Sequence, residues 1–199
     1  MKKILIVVLV VLFIVQWIVP GKMIWEKENI LSRGKEFRFR TEPIDPSNPF
    51  TGKYIWLNFK EHEFDLPAKK ELRYDQDIFV LLKNDDSGYA KIENIVFEEP
   101  KGNMDFVKAK LRSYSPIFGL VGHRRDSIES QNIQIEYPFE RFYMDEFKAP
   151  KAEKMYRQSN RDGTQKVYAI VAVSKGKAVI KDVMINEKPI RMAIEGSTK

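Results

Sequence analysis

The chain has 199 residues, a formal net charge of +6 and no cysteine, a length suited to one domain of ordinary size whose core is held by apolar burial. Without thiols there are no disulfides, thiolate zinc sites, cysteine-linked lipids or cysteine nucleophiles. Acidic and basic residues are interleaved, with no basic helix or stacking motif, so no nucleic-acid partner is expected.

Residues 4–19, ILIVVLVVLFIVQWIV, are apolar apart from Gln16. At about 1.5 Å per residue they reach roughly 24 Å, and Met23, Ile24 and Trp25 extend the run towards the 30 Å or so of a bilayer core. A transmembrane anchor over residues 1–21 is therefore expected, touching lipid through residues 4–20, with Trp17 and Trp25 suited to the interface. Lys2 and Lys3 hold the N-terminus in the cytoplasm by the positive-inside rule, which puts everything after Pro20 outside that membrane. The alternative is a cleaved signal peptide ending near Val19-Pro20-Gly21. Residues 22–35 carry Ile24, Trp25, Ile30 and Leu31 near the spacing of one helical face, a stem that Gly34 ends.

Residues 36–199 then read as one mainly β domain. In 36–41, Phe37, Phe39 and Thr41 alternate with Glu36, Arg38 and Arg40, a strand with one wet face. After a proline-rich loop, 54–59 is bulky on both sides, with Tyr54 and Trp56 opposite Ile55, Leu57 and Phe59. A central strand is expected there. Residues 78–82 and 89–97 flank the turn Asn84-Asp85-Asp86-Ser87-Gly88 as a hairpin. Val107, Ala109 and Leu111 line one side of a further strand, and Ile133, Ile135 and Tyr137 another. Between them, residues 113–130 contain Pro116 and two glycines and read as a long loop. A single short helix is expected within 139–160, with Pro150 near its first turn and Gly163 beyond its end. A second hairpin spans 167–185, and a last short strand 190–194. Many short strands joined by hairpin turns predict an antiparallel domain, barrel-like or sandwich-like.

The segment RTEPIDPSNPFTGKYIWLNF resembles the signature of the GDYXXLXY family of membrane-anchored bacterial proteins. Asp45 and Pro46 match its preceding Asp-Pro, while Gly52, Tyr54 and Leu57 match the named motif. Lys53 stands where the motif has an acid, and Phe59 where it has its last tyrosine. The later segment YPFERFYMDEF, with Arg141, Phe142, Tyr143 and Glu146, is similar to an aromatic-acid segment of that family. The resemblance implies an envelope protein, in a family without an established activity, that neighbours multi-helix membrane proteins. A lysine at position 53 cannot replace a carboxylate needed as base, nucleophile or metal ligand.

Weighed residue by residue, little chemistry stands out. Asp45 fits an Asx-type turn, or a carboxylate facing a cleft beside Arg40 or Arg141. His62 and His123 lie far apart without a metal-ligand spacing, so no metal and no cofactor is expected. Ser47, Ser113 and Ser115 lack the surroundings of a Ser/Lys peptidase. Lys108, Lys110, Arg112, Arg124 and Arg125 are either a solvated face or a basic patch for anionic lipid. Three functions follow in order of preference. The first is a non-catalytic envelope module docking on an integral membrane protein. The second is an anchored hydrolase using Asp45, Glu146 or a serine near Ser113. The third is a binder of a small anionic ligand through Arg40, Asp45, Arg141, Tyr143 and Glu146.

Overall fold

The computed structural model describes residues 2–43, 54–67, 71–121 and 124–196, without the side chains of Lys2, Leu5 and residues 118–129. Asp45, Pro46, Ser47, Gly52, Lys53 and His123, and the side chains of Arg124 and Arg125, therefore lie outside the described residues.

The first element is a helix of 32 residues, α1 (Lys2–Arg33), about 48 Å long at helical rise. It is long and apolar enough to cross a membrane, and none of the described residues covers that apolar stretch. Pro20 lies inside it and removes one backbone hydrogen bond, which membrane-spanning helices tolerate. Of the four apolar stem residues only Ile30 is buried against the domain; Ile24 and Trp25 point outward. The helix stops where the Gly34 amide donates to the Ile30 carbonyl at 2.8 Å. A Cβ at Gly34 would lie 2.5 Å from that carbonyl, so the joint between helix and barrel requires glycine.

Strand β1 (Lys35–Glu42) follows at once, with Phe37 and Phe39 inward and Glu36 and Arg38 outward, as the alternation predicts. Two short strands come next, β2 (Tyr54–Trp56) and β3 (Asn58–Phe59). The expected central strand is thus broken at Leu57, whose amide donates to the Glu140 carbonyl at 2.8 Å. Ile55, Leu57 and Phe59 are buried while Tyr54 and Trp56 are only half covered, so one face is wet. The central position belongs instead to β10 (Val167–Ser174), which is buried at nearly every residue. It pairs antiparallel with β1 on one side and with β11 (Lys177–Ile185) on the other, in a five-stranded sheet completed by β3 and by β12 (Lys188–Pro189).

A second five-stranded sheet has the order β4 (Glu63–Pro67), β8 (Arg124–Glu136), β7 (Phe106–Val121), β5 (Asp77–Asn84), β6 (Ala90–Val96). The β5–β6 hairpin is the expected one, its turn held by the Asp85 carboxylate accepting the amides of Ser87 and Tyr89, both at 2.9 Å. Residues 113–130 are not a loop: β7 and β8 run through them as a long hairpin, with Pro116 opposite Gln131. Beyond Lys110 strand β7 has left its partner β5, so at Pro116 the missing N–H can face an open edge.

The two sheets wrap towards each other into a nearly closed barrel. The Lys108 amide donates to the Gly176 carbonyl at 2.8 Å, the Lys60 amide to Arg40 at 3.0 Å and the Ile135 amide to His62 at 2.8 Å. Of the two closures open at the sequence level, the barrel is the one adopted. Its centre is a group of rings, Phe39, Phe59, Tyr137 and Phe139, with centroids 5.0–6.0 Å apart, Tyr137 stacked on Phe139 and Phe39 meeting its neighbours edge-on. The expected helix is shorter, α2 (Ala149–Asp162), because residues 141–143 form β9 (Arg141–Tyr143) instead. Gly163 ends it in the left-handed conformation at φ 65. The last predicted strand is a second helix, α3 (Ile190–Gly196), in which Ile190 and Ile194 are buried one turn apart.

Candidate functional site

Strand β2, from the motif segment, pairs with β9, from the aromatic-acid segment, with Tyr54 opposite Tyr143, Ile55 opposite Phe142 and Trp56 opposite Arg141. Two stretches far apart in sequence thus build one two-stranded surface. Pleating sends Ile55 and Phe142 into the core and leaves the other four side chains outside. The Arg141 guanidinium lies 5.0 Å from the Trp56 ring and 5.4 Å from the Tyr54 ring. Tyr54 and Tyr143 meet at 5.6 Å, and Tyr143 remains 61% exposed. Such cation–ring contacts fix the arginine's orientation at about 0.5–1 kcal/mol each on a surface.

Beside this surface is a cavity of about 270 Å³, lined by Trp56, Arg141 and Tyr143 together with Glu136, Tyr137, Pro138 and Glu140. The Glu140 carboxylate accepts the Tyr137 amide at 3.3 Å. Partial burial nevertheless holds its pKa above the ordinary glutamate value, outweighing that hydrogen bond. The Tyr137 hydroxyl donates to the Glu61 carbonyl at 2.7 Å, and complete burial pushes the phenol far above its usual range. Farther in, Tyr156 is likewise held neutral, pushed up to about 12 by burial. The buried phenols under the surface are therefore uncharged, while the rim carries an arginine, two carboxylates and two phenols.

The residues singled out in the sequence fall into separate places. Leu57 and Phe59 of the motif are core, 1% and 2% exposed, whereas Tyr54 belongs to the outer surface. Arg141 and Tyr143 are brought together there. Glu146 is exposed in the turn after β9. Arg40 is elsewhere: it pairs with Asp85 at 3.0 Å and lies 4.1 Å from the Tyr89 ring, sharing no contact with Arg141. Asp45 is outside the described residues. Ser113 donates to Gln134 at 2.7 Å, a neutral amide that cannot take its proton. Lys108 and Lys110 pair with Asp77 and Asp75 at 2.6 and 2.8 Å, so the basic patch is internally compensated there. His62 Nδ1 lies 2.6 Å from the Phe59 carbonyl, a capping role. No cluster of three His, Asp or Glu able to hold a metal occurs among the described residues.

Two residues of the surface escaped the sequence reading. The bulk of 54–59 on both sides predicts a covered face for Trp56, and the break at Leu57 leaves that residue only half covered. Glu140 sits inside the aromatic-acid segment, and its proximity to Tyr137 in sequence was the available signal. Together the group offers a fixed guanidinium, exposed rings and two carboxylates, the equipment of a recognition surface, since aromatic and arginine side chains dominate binding hot spots.

No curated protein and no solved structure matches the chain. Residues 16–183, most of the sequence, match the family model described as GDYXXLXY protein. That span runs from within α1 through the β2–β9 surface to β11, and the chain belongs to the GDYXXLXY family.

Proposed function

We propose that the chain is a non-catalytic accessory module of the bacterial envelope, docking on an integral membrane protein through the β2–β9 surface. In this reading residues 1–21 cross the inner membrane once with the N-terminus cytoplasmic, residues 22–35 form the stem, and residues 36–199 are the domain on the far side. The observation that carries it is the Tyr54–Trp56–Arg141–Tyr143 group on the outer face of β2 and β9, in which Tyr54 comes from the motif and Arg141 lies against the Tyr54 and Trp56 rings. The bare apolar length of α1 and the lysines at 2 and 3 support the placement.

The test is crosslinking of the full chain in its own membrane, followed by identification of attached proteins. An integral membrane protein is expected with the wild type, and an Arg141→Ala/Tyr143→Ala variant of unchanged melting temperature should recover at least tenfold less of it. Equal recovery by the variant, or no membrane protein with either, would refute the docking role.

A further inference from the structure

A second cleft, of about 500 Å³, lies where α1 meets the barrel. One wall is the helix itself, through Glu26, Lys27 and Ile30; the others come from β7, the end of β8 and the β10–β11 turn. The floor is apolar, made of Ile30, Ala109, Tyr137, Pro138, Ala178 and Val179. Its size falls in the range of small-molecule sites, roughly 300–1,000 Å³. The mouth is charged but nearly balanced: Glu26 pairs with Lys177 and Asp77 with Lys108, while Lys27 has no ion-pair partner among the described residues.

The position of this mouth follows from the helix. Glu26 and Lys27 come directly after Ile24 and Trp25, which are 64% and 71% exposed. They therefore lie about 1.5–3 Å beyond Trp25, the end of the apolar stretch, at helical rise. A headgroup layer is about 5–7 Å deep on each side of the hydrocarbon. The same helix thus presents a lipid-facing surface below and the wall of an apolar cleft above, with the charged mouth at headgroup level between them.

We propose that the cleft takes a phospholipid of the surrounding leaflet, one acyl chain lying along the floor and the phosphate at Lys27 and Lys177. A chain can pass from the bilayer along Ile24 and Trp25 into the cleft without crossing open water, which burial of apolar surface then favours. The exposed Glu26–Lys177 pair contributes little by itself and exchanges readily for a phosphate contact. This inference rests on α1 spanning the membrane.

The test uses the full chain in nanodiscs of phosphatidylethanolamine and phosphatidylglycerol. The probe is phosphatidylethanolamine with a diazirine at the end of one acyl chain. After irradiation, adducts are expected on residues 105–112 and 176–180 as well as on α1. Ala178→Trp, which fills the floor, and Val179→Asp, which charges it, should each cut the barrel adducts at least fivefold. Both should leave the α1 adducts unchanged, with the domain's thermal transition retained. Adducts confined to α1, leaving the cleft to water or to a protein occupant, would overturn the site alone. Barrel adducts unmoved by both variants would do the same, and absence of adducts from α1 would overturn the membrane span and the site together.

Discussion

At the scale of single residues, burial of polar groups sets the energetics around the β2–β9 surface. Tyr137 is 3% exposed and its hydroxyl satisfies the Glu61 carbonyl. Tyr137→Phe keeps the ring packing and orphans that carbonyl, so a loss of about 1–3 kcal/mol is expected, read as a lower urea midpoint at unchanged m in detergent micelles. Glu140 works in the opposite sense. Its folded pKa is raised above the ordinary value of 4.5, so the ionised form disfavours the fold. The penalty is fully present above the raised folded pKa. It shrinks as pH falls through that value and is gone below about 4.5, where the unfolded group is protonated as well. Glu140→Gln should therefore stabilise the protein at pH 7, with the advantage vanishing as the pH approaches 4.5. Parallel stability curves for variant and wild type would contradict this.

At the scale of elements, the barrel is closed by a glycine. Gly176 adopts φ +77 in the β10–β11 turn, and its carbonyl accepts the Lys108 amide that ties this hairpin to β7. A Cβ there would stand 2.7 Å from the Phe106 ring. Gly176→Ala combines backbone strain with displacement of that ring, and a cost of about 1–3 kcal/mol is expected from thermal unfolding of the full chain in micelles. An unchanged transition would mean that the turn is not held as described. The elements also show where sequence is informative. Phe37 and Phe39, or Asp85 with Gly88, declare their strand and turn because one face or one backbone conformation decides the matter locally. The break at Leu57 is set by a partner more than eighty positions away, Glu140, and no local pattern carries it. Pro116 looked like a loop residue only because the departure of β5 from β7 is a property of the sheet. Ile190 and Ile194 fit an alternation of two as well as a helical turn, and the packing beneath them chose the helix. For the candidate site, Arg141 and Tyr143 were legible as residue types, whereas their apposition to Tyr54 and Trp56 required the pairing of β2 with β9.

At the scale of the whole molecule, one long helix runs without interruption into a barrel, so the position of the domain is fixed by the position of α1. Its exposed apolar length is sufficient to cross a membrane, and its last turn, through Ile30 and Gly34, locks the barrel to the stem. The proposed docking through the β2–β9 surface and the proposed lipid site in the cleft both depend on that placement. The absence of cysteine makes the placement directly measurable, because a single introduced thiol is unambiguous. Lys101→Cys puts one on an exposed turn of the domain. Treated with a membrane-impermeant maleimide, intact spheroplasts carrying this variant should be labelled as strongly as lysed ones, in a band that stays in the membrane fraction through alkaline carbonate extraction. Labelling that appears only after lysis, or a labelled domain released into the soluble fraction, would contradict an anchored domain on the outer side of the membrane.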